Sequence, residues 1–339
     1  MWRKRKLTIR VGLLGAGFIG QTHAQAYQSI PGAELVAVAD VNREAADKLA
    51  EQTGARPTYD VDTILAADDI QVVDICLPTF LHEQCVVQAA QNGKHVLCEK
   101  PVALSLVQAD HMIEAIRENG VIAMVAQVIR FWPEYVAIKQ LLESGGLGAP
   151  ATARATRLAK APRWGSWFRN PELSGGAVLD LHIHDLDYVY WLFGRPRTVY
   201  AIGTASETGA WDYVVTSLDY GDKKATVEAS YVMPDGFPFE MTFRLLGTEG
   251  CADYRFRVDG QVGERDSAST ELVVYRPGQP PESVAYSQED AYRAELAYFA
   301  QCVSEGRHPT IATFEEAREV LEIALAARQS LESGALIRL

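Results

Sequence analysis

The stretch LTIRVGLLGAGFIG, residues 7–20, decides the fold of the first part of the chain. Its apolar first half predicts a buried strand, and its end, GAGFIG, fits the pattern G-x-G-x-x-G that joins a strand to a helix. In this pattern Gly15 permits a tight turn, Gly17 lets a pyrophosphate approach the backbone, and Gly20 lets the helix pack against the strand. Amide groups at the start of the helix would receive the phosphates. The predicted cofactor contacts of this stretch are Gly15, Gly17, Phe18, Ile19 and Gly20.

A second strand, predicted over residues 34–40, ends in Asp40, 20 residues after the last glycine of the pattern. A carboxylate at this place meets the ribose hydroxyls of adenosine. It would repel a 2′-phosphate by about 4 kcal/mol at ~4 Å in a surface-like dielectric. This favours NAD over NADP as the cofactor. Solvent screening and the nearby Arg43 soften that preference.

The order of strand and helix patterns predicts two domains, as the length of 339 residues also suggests. Up to residue 128, apolar strands alternate with helices, which indicates a parallel sheet covered on both faces. Beyond it, strand-like runs of alternating polarity dominate, as in WDYVVTSLDY at 211–220. We therefore predict an α/β Rossmann domain over residues 1–128 and, over residues 129–339, an α+β domain with an open, mainly antiparallel sheet. The terminal helix is a candidate for packing back on the first domain.

Composition and charge exclude several classes of protein. The net charge of -12 argues against nucleic acid or an anionic membrane surface as a partner. No run reaches the roughly 18–20 apolar residues of a membrane span. The basic residues 3–6 precede an apolar run that Arg10 interrupts, which is atypical of a secretion signal. The five cysteines fit no zinc pattern and suggest buried thiols in a reducing compartment, so we expect a cytoplasmic protein.

Three further segments accompany the glycine pattern. LPTFLH, residues 77–82, follows a predicted strand, and CEKP, residues 98–101, follows another. GGAVLDLHIHDLD, residues 175–187, contains Asp180 and His184 in the spacing D-x-x-x-H. Together these motifs resemble the glucose–fructose oxidoreductase / inositol dehydrogenase / rhizopine-catabolism (Gfo/Idh/MocA) family. The resemblance covers nearly the whole chain.

The resemblance implies roles for the residues of these motifs. In the family, the lysine of E-K-P sits at the nicotinamide and the substrate oxygen, and the bond to the proline is usually cis, which suits Lys100–Pro101 as a tight corner. The aspartate and histidine of D-x-x-x-H face the same cleft from the second domain. The implied catalytic set is Lys100, Asp180 and His184. The implied further cofactor contacts are Leu77, Pro78, Thr79, His82, Glu99, Lys100 and Gln127.

Alcohol oxidation is chemistry that these residue types can perform. The alcohol loses a hydride to the nicotinamide and a proton to a base, while a positive charge stabilises the developing alkoxide. A histidine titrates near neutrality, so His184 is the candidate base. Lys100 is the candidate electrostatic stabiliser and proton relay, and Asp180 would orient the substrate or Lys100. The roles of Lys100 and His184 could be reversed.

The function expected from the resemblance is an NAD(P)-dependent dehydrogenase of a sugar, an inositol-like polyol or a related small hydroxy compound. One alternative is an NAD-dependent glycosidase that oxidises the sugar transiently. Another is a dinucleotide-binding regulator without activity, although such relatives tend to lose the catalytic residues that are present here. Family members usually form homodimers or homotetramers through the open sheet, and we expect the same. Candidate substrate contacts are Arg130, Arg157, Trp164, Trp167 and Tyr231.

A metal site in the segment 175–187 is disfavoured. On one helix, His182 and His184 would point about 200° apart and could not share an ion. Asp180, His184 and Asp187 would share a face, but Lys100 would place a competing cation in the cleft, so we predict no metal.

Five other residues have structural predictions. His182 is expected to be packed or hydrogen-bonded away from the site, and His23 to serve helix packing. His82 could instead cap its helix. The glycines at 175 and 176 are interpreted as a loop that lets the chain approach the cofactor or substrate.

Overall fold

The structure is a computed structural model, and it describes residues 8–161, 167, 170–207, 209–259 and 268–339. The chain forms two compact units. Unit 1 comprises residues up to Phe131 together with Glu289–Arg318, and unit 2 comprises Trp132–Gln288 and Glu319–Leu339. Within the described ranges, no helix combines the length and apolar character needed to cross a membrane.

Unit 1 is built on a six-stranded sheet in which every neighbouring pair is parallel. The strand order is β3-β2-β1-β4-β5-β6, with a switch point between β1 and β4 where doubly wound folds bind their ligands. The strands are β1 (Ile9–Leu14), β2 (Ala33–Ala39), β3 (Arg56–Thr58), β4 (Val72–Ile75), β5 (His95–Glu99) and β6 (Ala123–Ala126). The helices before residue 131 are α1 (Phe18–Tyr27), α2 (Arg43–Thr53), α3 (Val61–Leu65), α4 (His82–Gln91) and α5 (Leu106–Asn119), with 3-10 turns at Thr79–Leu81 and Val128–Phe131.

Local sequence signals explain where the longer helices of unit 1 begin and end. The Asn42 side chain accepts a hydrogen bond from the Ala45 amide at the start of α2, and Ser105 does the same at the start of α5. Gly54 and Gly120 end these two helices in the left-handed conformation. The residues of β4, β5 and β6 are almost entirely buried, because helices cover both faces of the sheet, whereas the edge strand β3 is largely exposed.

Unit 2 contains a nine-stranded sheet of order β14-β13-β12-β11-β7-β10-β9-β8-β15. All pairs are antiparallel except β7 with β10, which confirms the predicted α+β class. The strands are β7 (Pro150–Leu158), β8 (Thr198–Ala205), β9 (Trp211–Asp219), β10 (Lys224–Ser230), β11 (Phe239–Gly247), β12 (Cys251–Val258), β13 (Ala268–Tyr275), β14 (Glu282–Ser283) and β15 (Ile337–Arg338). The helices before residue 288 are α6 (Pro133–Glu143), α7 (Pro171–Ser174), α8 (Gly176–Asp180) and α9 (His182–Phe193).

The last part of the chain does not follow the predicted division into 1–128 and 129–339. Helix α10 (Ala291–Glu305) belongs to unit 1, where Leu296 and Phe299 join its main apolar cluster. The terminal helix α11 (Phe314–Ser333), which was the candidate for packing back, belongs to unit 1 only as far as Arg318. The core of the Rossmann domain is therefore completed by a helix that is distant in sequence.

The segment 175–187 also differs from the one helix that was expected to carry Asp180, His182, His184 and Asp187. Leu181 separates α8 from α9, and the short α7 precedes both. Gly175 and Gly176 have positive φ values of 76° and 65°. A Cβ on Gly175 would lie 2.4 Å from Cδ1 of Leu179, so packing inside unit 2 explains this glycine without a ligand.

Candidate active site

The three glycines of the first loop meet different physical requirements. Gly15 has a φ of 102°, and a Cβ there would lie 2.3 Å from the carbonyl oxygen of Cys76. A Cβ on Gly20 would lie 2.1 Å from the carbonyl oxygen of Gly15, so strand and helix approach as closely as their backbones permit. Gly17 has open space beside it and begins α1 without a capping side chain. The exposed start of the helix is thus shaped to receive an anionic group such as a pyrophosphate.

Asp40 is held rigidly at the carboxyl end of β2. Its Oδ2 accepts a hydrogen bond from the Ala16 amide and its Oδ1 one from the Asn42 amide, each at 2.8 Å. The guanidinium of Arg43 lies over the ring of Tyr59, 4.2 Å from its centroid. The carboxylate is therefore fixed beside the glycine loop, where it suits ribose hydroxyls and would repel a 2′-phosphate.

His82 connects two of the segments that the motifs identified. Its Nε2 lies 2.8 Å from the carbonyl oxygen of Leu77 and its Nδ1 lies 3.0 Å from that of Pro101. Burial lowers the pKa of this histidine. His82 thus lies between two loops of the candidate cofactor edge, and because a neutral imidazole has one N–H, it donates to one of these two carbonyl oxygens. Its contact with the cofactor stays a prediction.

The E-K-P segment follows β5 at the same edge of the sheet as the glycine loop. The register aligns Leu14 with Ile75 and Ile75 with Cys98, so the loops after β1, β4 and β5 leave neighbouring strands at one edge. The Lys100–Pro101 peptide is cis, as the resemblance implied. The Lys100 side chain is partly exposed, and its amide donates to Oε2 of Glu99 at 3.0 Å.

The remaining predicted cofactor residues lie at the same edge. Leu77 and Pro78 follow β4 and are partly exposed, whereas Thr79 is buried. Gln127 follows β6 and is also buried. Phe18 and Ile19 are in the first turn of α1, and Phe18 is exposed.

A buried cluster of ionisable groups lies beneath this edge and was missed by the sequence interpretation, which assigned His23 to packing. His23 Nδ1 donates to Asp74 Oδ2 at 3.0 Å, and its Nε2 lies 3.3 Å from Glu99 Oε1. The thiol of Cys76 donates to the other oxygen of Asp74 at 3.5 Å. The one available signal was an aspartate in the apolar strand VVDI, since a buried carboxylate requires a partner.

These neighbours determine the charge of His23. Burial opposes the charged imidazole, but Cys76 and Asp74 outweigh it and raise the pKa of His23 well above its usual value. Burial and the charge of Asp74 also raise the pKa of the Cys76 thiol, so the thiol is neutral near pH 7. The neutral thiol acts on His23 as a hydrogen-bonding neighbour, 3.4 Å from Nδ1, whereas the carboxylates of Asp74 and Glu99 form the ion-pair contacts of the ring.

In unit 2, Asp180 is the last residue of α8 and His184 lies in the first turn of α9, and both are partly exposed. The hydroxyl of Tyr231 donates a hydrogen bond to Asp180 Oδ2. Burial and the charge of Asp180 raise the pKa of Tyr231 well above its usual value, so the phenol stays protonated. Asp187 is fully buried, unlike the two residues with which it was expected to share a face.

His182 is fully buried, as predicted, and its Nε2 lies 2.8 Å from Oγ1 of Thr216. Burial lowers the pKa of His182 to about 3, so it remains neutral at physiological pH. His182 thus serves the packing of unit 2. His184 is the histidine of the D-x-x-x-H motif and remains the candidate base.

Of the candidate substrate contacts, the two arginines are engaged in ion pairs within their own units. Arg157 is buried and donates to both oxygens of Asp185, at 2.7 and 3.0 Å. Arg130, also buried, donates to Glu316 at 2.7 Å. These contacts make both arginines poor candidates for binding a substrate. Trp167 is partly exposed, and Trp164 lies outside the described residues.

Comparisons with known proteins add to this geometry. A family model described as an oxidoreductase family with an NAD-binding Rossmann fold matches residues 9–127, and a model of the GFO/IDH/MocA C-terminal domain matches residues 135–253. The scyllo-inositol 2-dehydrogenase (NAD(+)) of Bacillus subtilis is 30% identical, covering 98% of this chain and 96% of that protein. The myo-inositol 2-dehydrogenase of Thermotoga maritima is 28% identical, covering 98% of each chain. A solved structure of levoglucosan dehydrogenase in complex with NADH is 25% identical, with a TM-score of 0.85 and coverage of 97% and 98%.

Proposed function

Because the chain belongs to the GFO/IDH/MocA family of oxidoreductases with an NAD-binding Rossmann fold, we propose that it oxidises a hydroxyl group of a cyclic polyol or sugar. The observation that carries this proposal is the presence of Lys100, Asp180 and His184, whose side chains are partly exposed. Lys100 follows β5, Asp180 ends α8, and His184 lies in the first turn of α9. Relatives named as inositol and levoglucosan dehydrogenases support this substrate class.

The residues at the edge of the parallel sheet fit a dinucleotide. The open space at Gly17 and the uncapped start of α1 suit its pyrophosphate, and Asp40 suits the adenosine ribose. The loops at Leu77–Thr79 and Glu99–Lys100 would flank the nicotinamide end. We expect NAD to be preferred over NADP, because the Asp40 carboxylate is held in place by two backbone amides.

When bound, NAD supplies the acceptor for the hydride of the alcohol. His184 would take the hydroxyl proton at a ring nitrogen, and the ammonium of Lys100 would stabilise the negative charge that develops on the substrate oxygen. Exchange of these two roles remains the alternative. The hydrogen bond from Tyr231 restricts the orientation of the Asp180 carboxylate, so we place Tyr231 beside Asp180 as a positioning residue.

The other expectations stay predictions. Net oxidation is proposed rather than glycoside cleavage, because the relatives compared above are dehydrogenases by name. Assembly into homodimers or homotetramers through the nine-stranded sheet, and a cytoplasmic location, follow from the resemblance and the cysteine content.

The proposal is tested with purified protein and a panel of inositols, levoglucosan, aldoses and amino sugars, each with NAD and with NADP. We expect NADH formation with at least one cyclic polyol or sugar and a higher kcat/KM with NAD. A flat response across the panel with both cofactors would contradict the proposal. Release of a chromogenic leaving group from a glycoside without net NADH would favour the glycosidase instead.

The catalytic assignment is tested on the best substrate of the panel. Lys100→Met and His184→Asn should each lower kcat about a hundredfold or more, since each removes a group that acts on the reacting oxygen. Lys224→Ala is the matched control, because Lys224 lies on β10 and pairs with Asp219. If both catalytic variants keep the turnover of that control, the assignment is wrong.

A further inference from the structure

The cluster around His23 connects three elements of unit 1 to the backbone of Lys100. His23 on α1 contacts Asp74 of β4 through Nδ1 and Glu99 of β5 through Nε2. The second contact, at 3.3 Å, is an ion-pair contact rather than an aligned hydrogen bond. Glu99 Oε1 faces His23, and its Oε2 accepts the amide of Lys100. One carboxylate thus joins a buried histidine to the proposed catalytic lysine.

A positive charge on His23 is what makes this arrangement stable. A buried carboxylate without a counter-charge carries a large desolvation penalty, and here two carboxylates, Asp74 and Glu99, are buried against one imidazole. With both ring nitrogens protonated, His23 presents a donor or a positive edge to each carboxylate. A neutral ring could serve only one of them.

The other ionisable groups near His23 are tyrosines and a glutamate, so none of them can supply a positive charge to the two carboxylates. Besides Asp74, Cys76 and Glu99, the ring of Tyr292 on α10 neighbours His23, while Tyr27 on α1 interacts with Asp74, and Glu295 on α10 with the two tyrosines. The ring of Tyr292 lies 6.1 Å from that of His23. Burial raises the pKa of both tyrosines, so both phenols are neutral. The phenols therefore carry no charge, and the carboxylates in contact with the imidazole ring are those of Asp74 and Glu99.

We propose that His23 and Asp74 are positioning residues for Lys100, which they hold through the side chain of Glu99. This inference rests on the proposed function for the role of Lys100 in turnover. The imidazolium directs one oxygen of Glu99 inwards, which leaves the other oxygen to fix the Lys100 amide at the carboxyl end of β5. Asp74 keeps the imidazole charged and sets its ring orientation, as carboxylates do for histidines in many active sites.

The first experiment measures the protonation of His23 without any substrate. In protein with ¹⁵N-labelled histidine, His23→Gln identifies the His23 signals among the seven histidines. We expect both ring nitrogens of His23 to be protonated near neutral pH in the wild type. Asp74→Asn keeps a polar partner but removes the charge, so His23 should become a neutral tautomer. A wild-type His23 that is neutral at this pH would overturn the proposal.

The same Asp74→Asn protein, labelled with ¹⁵N-lysine, reports on the backbone amide of Lys100. A backbone amide that donates to a charged carboxylate is sensitive to the orientation of that carboxylate. We expect the Lys100 amide signal to shift in Asp74→Asn, whereas the amide signal of Lys224 in unit 2 should not change. An unchanged Lys100 signal would overturn the positioning role of His23 and Asp74 even if the protein is a dehydrogenase. A shifted signal supports that role even if no substrate is found.

The kinetic experiment separates positioning from folding by a double-mutant cycle. Asp74→Asn and Glu99→Gln should each lower kcat about tenfold, because misplacement of a catalytic group acts on turnover more than on binding. For Asp74→Asn, which changes a residue outside the proposed cofactor contacts, the KM for NAD should change less than twofold. The double variant should resemble Glu99→Gln alone, since Asp74 acts through that carboxylate. Independent losses that multiply to about a hundredfold would overturn the proposal.

The control is a second histidine–carboxylate pair of the same unit. His111 on α5 lies 2.9 Å from Glu83, but its side chain is 57% exposed. His111→Gln should leave kcat, KM and the Lys100 amide unchanged. Melting temperatures of all variants identify any loss of turnover that follows simply from unfolding.

Discussion

His23 in unit 1 and His182 in unit 2 are both completely buried on helices, yet their pKa values shift in opposite directions. His23 contacts the carboxylates of Asp74 and Glu99, and its pKa is raised well above the usual value. The ring of His182 contacts the hydroxyl of Thr216, and burial lowers its pKa to about 3. Burial alone therefore does not determine the charge of a histidine, because the partner that the neighbouring strand provides outweighs it.

The comparison also shows why the two histidines serve the proposed site differently. A charged His23 can hold Glu99 and, through it, the backbone of Lys100. A neutral His182 ties α9 to β9 and has no charge to transmit. The four predictions that follow test this difference, beginning with the largest expected effect.

Removal of the carboxylate beside His23 should have the largest effect on stability. Asp74→Ala leaves a buried imidazole without its counter-charge, and we expect the free energy of unfolding to fall by about 3 kcal/mol. Urea unfolding of the cofactor-free protein, followed by circular dichroism, measures this loss. A loss below about 1 kcal/mol would mean that the pair contributes no more than an exposed ion pair.

The pH dependence of stability should have opposite signs at the two histidines. The folded pKa of His23 lies above the unfolded value of about 6.5, so its contribution is fully present below that pH and is lost as the pH rises through the folded pKa. The folded pKa of His182, about 3, lies below the unfolded value. Its contribution is present above about pH 6.5 and is lost as the pH falls towards 3.

Urea unfolding near pH 5.5 and near pH 7.5 tests these signs. His23→Gln should cost about 1 kcal/mol more at the lower pH, and His182→Gln about 1 kcal/mol more at the higher pH. Equal costs at both pH values, or the same sign for both variants, would show that the two rings do not differ in charge.

A smaller effect is expected where the neutral histidine loses its partner. Thr216→Val preserves the shape of the side chain and removes the hydroxyl, so it should cost about 1 kcal/mol. Because no charge is exposed or buried, this cost should be the same near pH 6.5 and near pH 8. Thermal unfolding at both pH values measures it, and a marked pH dependence would argue against a neutral His182.

The smallest effect is expected at the exposed pair of His111 and Glu83. Surface ion pairs contribute from zero to about 1 kcal/mol, so His111→Gln should change the unfolding free energy by at most a few tenths of a kcal/mol. Added salt should remove even this difference. A larger loss would show that contact with a carboxylate, rather than burial of the pair, causes the effect at His23.

Local patterns were enough to predict the Rossmann domain, the mainly antiparallel sheet and most of the cofactor edge. The glycine spacing, Asp40 and the E-K-P segment could be recognised because each lies at the end of an apolar strand. The strands β3, β14 and β15 have two or three residues, which is too short for any periodicity to show. The break at Leu181 was missed because the apolar pattern continues through it.

The sequence by itself thus determined the fold class, because that depends on the alternation of strands and helices, and its resemblance to a known family supplied the candidate catalytic and cofactor residues. Only the tertiary structure decided which buried groups are charged and what holds the site residues. Tyr231 reaches Asp180 from 51 positions away, and His23 meets Asp74 across the same sequence separation. The pKa of a buried group depends on partners within a few ångströms, and folding selects those partners from distant segments without leaving a local pattern.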